Sequence, residues 1–287
     1  MDKWITAILY GFSSGAILFL VSLALSIGYG LMRVVNMEAM LYYSFGAYAT
    51  YVIVSQTGSF ILGAIVAMAI GALLGLLVET QLLRRLYHRK MMFTMVATYS
   101  SFLVGIGVIQ MVWGLQPKPV SSPTTAIVTI LGANIPLYRL LVIATAVAAY
   151  ILIQTMLNKT IVGRAIQAGV ENRDNVQALG ININKIFTGT FVVASAFAGL
   201  GGALNAPLIM VGPYMGFDML LLAFITVIVG GLGSIKGTAL SAILIGQVIS
   251  VGGTIWGPLA YVAPFIAMFI VILVKPTGLM GVKSAAY

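Results

Sequence analysis

Serine, histidine and acidic side chains are the first places to look for chemistry, and this 287-residue chain has few that are usable. Gly11-Phe12-Ser13-Ser14-Gly15 has the outline of a nucleophile turn, but an attacking serine needs a base within hydrogen-bond reach. The one histidine, His88, falls in the basic run Arg84-Arg85-Leu86-Tyr87-His88-Arg89-Lys90, and loop lysines are equally misplaced. Aspartyl catalysis needs two facing carboxyl groups; Asp2, Asp174 and Asp218 form no plausible pair. A zinc site needs clustered His, Cys or acidic ligands, and the chain has no cysteine. Gly230-Gly231-Leu232-Gly233-Ser234 is glycine-rich but lacks the Gly-Lys-Ser/Thr that completes a phosphate-cradling loop, so it reads as a tight turn. The inventory therefore argues against an enzyme. Ion-coupled transporters and proton relays place ionisable groups inside the membrane. Here Asp2, Glu38, Glu79, Glu171, Asp174 and Asp218 all fall at the ends of apolar runs or between them. Any energy the chain uses is expected to enter from elsewhere, with sodium held by backbone carbonyls left open.

The elements that hold these residues follow from composition. The chain is 61% hydrophobic and 7% charged, with a mean hydropathy of +1.09, against about 25% charged residues in soluble domains. So few charges cannot coat a water-facing surface, and in lipid the backbone must satisfy itself in helices or a closed barrel. Barrel strands alternate over about ten residues, whereas these apolar runs are continuous and of the ~20 residues that cross a bilayer as helix. The predicted class is all-α: one polytopic transmembrane domain over 1–287 with eight to ten membrane segments. Candidate spans are 5–27, 39–55, 60–78, 91–113, 139–157, 186–207, 218–232, 237–252 and 258–274, the second, seventh and eighth being short for full crossings. The first is too long for a signal peptide and reads as a retained helix.

A net charge of +9 would suggest nucleic acid in a soluble protein; in a membrane protein it reflects basic cytoplasmic loops. With both basic loops inside and nine spans, the N-terminus is outside and the C-terminus cytoplasmic. Arg33, Arg84, Arg85, Arg89, Lys90, Lys159, Arg164, Arg173, Lys185, Lys236, Lys275 and Lys283 then lie inside, twelve against Lys3, Lys118 and Arg139 outside. In the outer loop 114–137, Pro117, Pro119 and Pro123 break any helix. The runs Ala126 to Leu131 and Ile135 to Tyr138, joined through Gly132-Ala133-Asn134, predict a small hairpin. Gly63, Ala67, Gly71 and Gly75 form a small-residue ladder on one helix face, as do Ser22, Ser26 and Gly30. Such ladders let helix backbones approach closely, within the bundle or between two copies.

The loop 158–185 is long for a connection, since about 4–6 residues is usual. Within it, 163–182 predicts two short helical stretches around a polar centre, Glu171 to Asn175, with Ile166, Val170, Val176 and Leu179 toward the membrane. A surface helix that merely covers the bundle and a docking element for a cytoplasmic partner both fit.

At this loop the sequence resembles the permeases of branched-chain amino acid ABC importers, a family with relatives that carry urea, amides and other small solutes. The matching residues are Gly163-Arg164-Ala165, Glu171-Asn172, Ala178-Leu179-Gly180-Ile181-Asn182, the turn 230–234, Gly237, and the tail Lys275-Pro276-Thr277-Gly278-Leu279-Met280-Gly281. Gly30-Leu31-Met32, Val35-Asn36 and Gly46-Ala47-Tyr48 match near the start. The resemblance covers nearly the whole chain in order. It implies that Gly163, Arg164, Ala165, Glu171, Asn172, Ala178, Leu179 and Gly180 form the coupling element that seats in a cytosolic ATPase. It also implies a homologous second permease, two ATPase subunits that bind the ATP and Mg, and an extracytoplasmic solute-binding protein. This chain would hold no cofactor, would lie among lipid in a bacterial cytoplasmic (inner) membrane, and would not bind nucleic acid. The competing reading is an ion-coupled secondary transporter or facilitator.

The chain departs from the family after Asn36. Members commonly continue with an aromatic or aliphatic residue and then Ala-His-Gly, whereas here Asn36-Met37 leads into Glu38-Ala39-Met40. Asn36 suits a helix N-cap and Glu38 its first turn; alternatively Glu38 alters the translocation path. Asn36, Glu38, Tyr48, Asn205, Pro207, Thr226 and Gln247 are the candidate path residues, each equally able to hydrogen-bond between helices.

Overall fold

The computed structural model describes residues 2–32, 36–86, 89, 91–130, 132–171 and 173–281. Arg33, His88, Lys90, Asn172 and Lys283 lie outside the described residues. In chain order the elements are α1 (Asp2–Met32), α2 (Ala39–Thr57), α3 (Phe60–Val78), α4 (Arg84–Leu86), α5 (Met91–Trp113), β1 (Ile127–Ile130), β2 (Ala133–Pro136), α6 (Leu137–Lys159), α7 (Ile161–Glu171), α8 (Arg173–Ala178), α9 (Ile183–Asn205), α10 (Met215–Gly230), α11 (Ile235–Ile255) and α12 (Leu259–Val274). A π-turn, Glu79–Leu83, joins α3 to α4 in one unbroken rod, Phe60–Leu86.

Each of the nine predicted spans corresponds to a helix, and among the described residues six helices are long and apolar enough to cross a membrane. Two lengths differ from expectation. The eighth segment, α11, is a 21-residue helix of crossing length, because Ser234 accepts a hydrogen bond from the Gly237 amide and starts it early. The ninth, α12, has only 16 residues and carries Pro264 in its interior.

The core forms around α1 and α9, whose most apolar windows are each 72% buried although other crossing helices leave most of theirs exposed. Small residues on α3, α9 and α2 allow this. In α3, Gly63, Ala67, Gly71 and Gly75 are the buried residues, and they face α2 and α9 of the same chain: a Cβ on Gly71 would meet Ser195 and Gly199 backbone, and one on Gly63 would meet Thr50. The ladder is spent on packing within the bundle. On α1, Gly30 approaches Gly233, and Ser26 accepts a 2.9 Å hydrogen bond from Thr238 of α11.

Ile127 to Ile130 pair antiparallel with Ala133 to Pro136, so the hairpin forms in the predicted loop; Leu131 lies outside the described residues. Lys118 pairs with Val211, tying that loop to the connection after α9. At the other end, the two glycine-rich matches prove to be one structure. The Leu279 and Met280 amides donate to the carbonyls of Val229 and Gly230 at 2.7 and 2.9 Å, and Gly231 (φ 101°) and Gly278 (φ 77°) turn against each other. The tail therefore closes over the turn between α10 and α11, which leaves that turn no role as a phosphate loop.

Candidate functional site

Residues 36–48 build the most unusual polar site in the bundle. The N-terminal stretch of α2, Ala39 to Ser44, is buried without a break, while residues 55–57 are exposed. The helix thus begins inside the protein and runs outward. Its start is organised by Asn36, whose Oδ1 accepts the Glu38 amide at 3.1 Å. Glu38 itself occupies the cap position and does not lie in the first turn, where the sequence places it; its side chain caps nothing. Instead the carboxylate turns inward and is fully buried.

Glu38 stands at the end of a span, as the sequence places it, but that end is buried in the bundle. The Met37 amide donates to Thr98 Oγ1 at 3.3 Å, and Ser101 is the hydroxyl directed at Glu38. Thr98 and Ser101 belong to the middle of α5, a membrane-crossing helix. Ser195, beside the Tyr42 hydroxyl, belongs to the middle of α9, which also crosses. Glu38 ends a span in sequence but lies in space beside the inner turns of α5, because α2 starts within the bundle.

Neither carboxylate oxygen of Glu38 closes a hydrogen bond of good geometry, and the same holds for Asn36 Nδ2 and the Tyr42 hydroxyl. Among the described residues no Lys, Arg or His pairs with Glu38. An isolated charge at the bilayer centre costs about 2.5–3.5 kcal/mol on insertion scales. The positive end of α2 offsets about 0.3–1 kcal/mol, and up to ~2 in partly buried geometry. The dipole does not cover the cost, and among the described residues no positive side chain supplies the rest.

The other candidate path residues divide into two groups. Asn205 donates from Nδ2 to the Tyr43 hydroxyl of α2, and Pro207 follows in the turn that ends α9. Tyr48 lies further along α2, stacked on Trp113 at 4.9 Å between ring centroids, its buried hydroxyl without a partner. Thr226 and Gln247 are elsewhere. Thr226 donates to Leu222 within its own helix, and its carbonyl accepts from Ser241. Gln247 donates to the Ile8 carbonyl at 2.9 Å and fastens α11 to α1. Sequence reasoning missed Tyr42, Tyr43, Ser101 and Ser195; aromatic and serine residues in apolar helices are too common to mark a site without the fold.

At the end of the bundle that carries the basic run lies a second polar cluster. Glu79 is 1% exposed and pairs with Arg84 at 3.0 Å, and Arg84 also donates to Thr188 of α9 at 2.9 Å. Positions i and i+5 point to different faces of an α-helix, but an i→i+5 turn stacks them. The π-turn is what places Arg84 over Glu79, and it withdraws Arg84 from the free basic loop expected from sequence.

Residues 160–182 form an anchored two-helix element. Thr160 Oγ1 accepts the Gly163 amide at 3.1 Å to start α7, and Asn182 Oδ1 accepts the Lys185 amide at 3.2 Å to start α9. Gly163, Ala165, Ile166 and Gly169 face inward, Gly169 against Ile183 and Phe187. Val176 is also buried. Val170 and Leu179, expected to face the membrane side, are exposed instead, Leu179 by 78%. The inward face runs 163, 166, 169, one residue out of step with Val170, and Gly180 at φ 78° ends α8 and turns Leu179 outward. Arg164 and Ala178 are exposed too. Asn172 lies outside the described residues.

Comparison with known proteins decides the family. The model of the branched-chain amino acid transport system / permease component family matches residues 7–274. The chain belongs to that family. Its members are the membrane-embedded, non-catalytic permeases of ABC importers. Among curated relatives, the high-affinity branched-chain amino acid transport system permease protein LivH of Escherichia coli (strain K12) is 22% identical, over 94% of this chain and 93% of that protein. The probable branched-chain amino acid transport permease protein LivH of Methanocaldococcus jannaschii is 28% identical, over 93% of this chain and 89% of that protein. Among solved structures, PsaBC from Streptococcus pneumoniae in complex with Fab aligns with a TM-score of 0.49 at 17% identity, covering 96% of this chain and 91% of that one.

Proposed function

We propose that this chain pairs with a homologous second permease to form the path of an ATP-driven importer of branched-chain amino acids or related small solutes. Two cytosolic ATPases bind and hydrolyse ATP with Mg, and an extracytoplasmic solute-binding protein delivers the solute. The observation that carries the reading is the element 160–182. Its small residues lock it to the bundle, while Leu179 and Arg164 face outward in a loop far longer than a connection requires. ATPase motion at that surface would reach α9 directly, since α7 packs on the start of that helix.

The test is co-purification. Leu179→Asp alters a surface position, where substitutions away from packed features usually shift stability by within about 0.5 kcal/mol. The permease is expected to remain folded and to lose most of the associated ATPase. Full ATPase recovery with the variant would remove the loop from the docking surface.

The proposed orientation puts the N-terminus outside and the C-terminus in the cytoplasm, as the distribution of basic residues favours. The chain lacks cysteine, so His88→Cys gives a single reporter. An impermeant thiol reagent is expected to label it only after the membrane is opened; labelling in intact cells would invert the topology. An ion-coupled carrier remains the second reading, favoured by the single observation of a buried carboxylate at Glu38.

A further inference from the structure

We propose that Asn36, Glu38 and Tyr42 form a buried subsite for solutes that carry a protonated amine. The inference rests on the reading of this chain as a solute path and adds the chemistry that the path recognises. The unsatisfied groups form a complementary set: two carboxylate oxygens on Glu38, which only accept, and the Asn36 amide nitrogen and Tyr42 hydroxyl, which can donate. All three residues are fully buried. They share one site, since Asn36 Oδ1 accepts the Glu38 amide at 3.1 Å and the Tyr42 amide, one turn on, donates to the Glu38 carbonyl at 3.3 Å. An ammonium group supplies the hydrogen bonds that the carboxylate lacks. The donors left on Asn36 and Tyr42 suit an acceptor oxygen on the same solute.

A metal ion fits this set poorly. Hard divalent cations gather about six to eight oxygens, no cluster of three acidic or histidine residues occurs among the described residues, and the Asn36 Oδ1 is already taken by the Glu38 amide. The apolar surroundings suit an amine with a hydrocarbon body. Met37, the chain neighbour of Glu38, lines a groove of ≈ 290 Å³ between α10 and α12 together with Leu221, Phe224, Phe265 and Met268.

The experiment uses the complete permease–ATPase complex in lipid nanodiscs and infrared difference spectroscopy. The probes are 3-methylbutylamine and the neutral isostere 3-methylbutanol. The amine is expected to shift a glutamate carboxylate band in the wild type, the alcohol to leave it unchanged, and Glu38→Gln to abolish the shift. In proteoliposomes, Glu38→Gln is expected to lower ATP-driven uptake of L-leucine by about tenfold or more, the scale of one lost charge-assisted hydrogen bond. Tyr42→Phe is expected to weaken the amine response without removing it. Equal responses to amine and alcohol in the wild type, or an amine shift that persists in Glu38→Gln, would overturn the subsite. The wild-type comparison alone suffices if Glu38→Gln fails to fold. A wild-type complex that imports by ATP without an amine-specific band defeats the subsite only; one with no ATP-driven import defeats the path reading.

Discussion

Gly202→Ala is expected to destabilise the bundle strongly, although it adds a single methyl group. In an ordinary helix interior, Gly→Ala gains about 0.5–1 kcal/mol. At Gly202 the new methyl would run into the Tyr43 carbonyl and come within 3.0 Å of the Ala47 backbone nitrogen. Those are backbone atoms of α2 and cannot rotate away, so α2 and α9 must separate. Overpacking of this kind costs about 1–3 kcal/mol, occasionally more, and here it reverses a substitution that otherwise stabilises. Gly189 in the same helix is the control, because a Cβ there meets nothing within 4 Å; Gly189→Ala is expected to be neutral or stabilising. Thermal unfolding of the two variants in one detergent checks the contrast, and equal midpoints would show that the α2–α9 contact is not close. Because α2 carries Tyr43 and follows directly on Glu38, Gly202→Ala is also expected to disturb the Asn205–Tyr43 hydrogen bond and, with it, transport.

Arg84→Ala is expected to give the second large effect. Removing one partner of a buried ion pair costs about 3–5 kcal/mol because the other charge is stranded, whereas exposed pairs contribute about 0.2–1 kcal/mol. Glu79 is 1% exposed and Arg84 47%, so the loss falls between these limits. The Thr188 hydrogen bond to α9 goes with it. Adding Glu79→Gln to Arg84→Ala is expected to restore part of the lost stability, since the carboxylate that Arg84 neutralised is then gone. A double variant less stable than Arg84→Ala alone would mean that Glu79 is held by other groups and that Arg84 contributes mainly through Thr188.

Much of this molecule is legible in the sequence because lipid leaves a chain few choices. Continuous apolar runs locate nine helices, three prolines and a β-prone run locate the hairpin, and the spacing of Gly63, Ala67, Gly71 and Gly75 marks a packing face. The ladder alone does not say which helix it meets; that depends on where Ser195 and Gly199 fall on α9. Glu38 is the instructive limit. Its place at the end of an apolar run is legible, but its burial is set by tertiary placement, and α2 begins inside the bundle. Arg84 fails for a related reason: a run of basic residues reads as loop, while the rod from Phe60 continues to Leu86 through a π-turn that no hydropathy pattern reveals. In the loop 163–182, amphipathic periodicity finds the two helices and places Ile166 and Val176 correctly. It misplaces Val170 and Leu179 because small residues, Gly163 and Gly169, form much of the inward face and carry almost no hydropathy signal.

The central claim is that ATP hydrolysed by partner subunits, and no ion gradient, drives solute through this chain. It is tested most directly by radiolabelled L-leucine uptake into proteoliposomes holding the complete complex, with binding protein outside and ATP inside, and with proton and sodium gradients collapsed. Uptake is predicted to persist under those conditions, to stop when ATP is withheld, and to fall with Leu179→Asp. Uptake that needs a gradient and proceeds without ATP would contradict the account and make the chain an ion-coupled carrier.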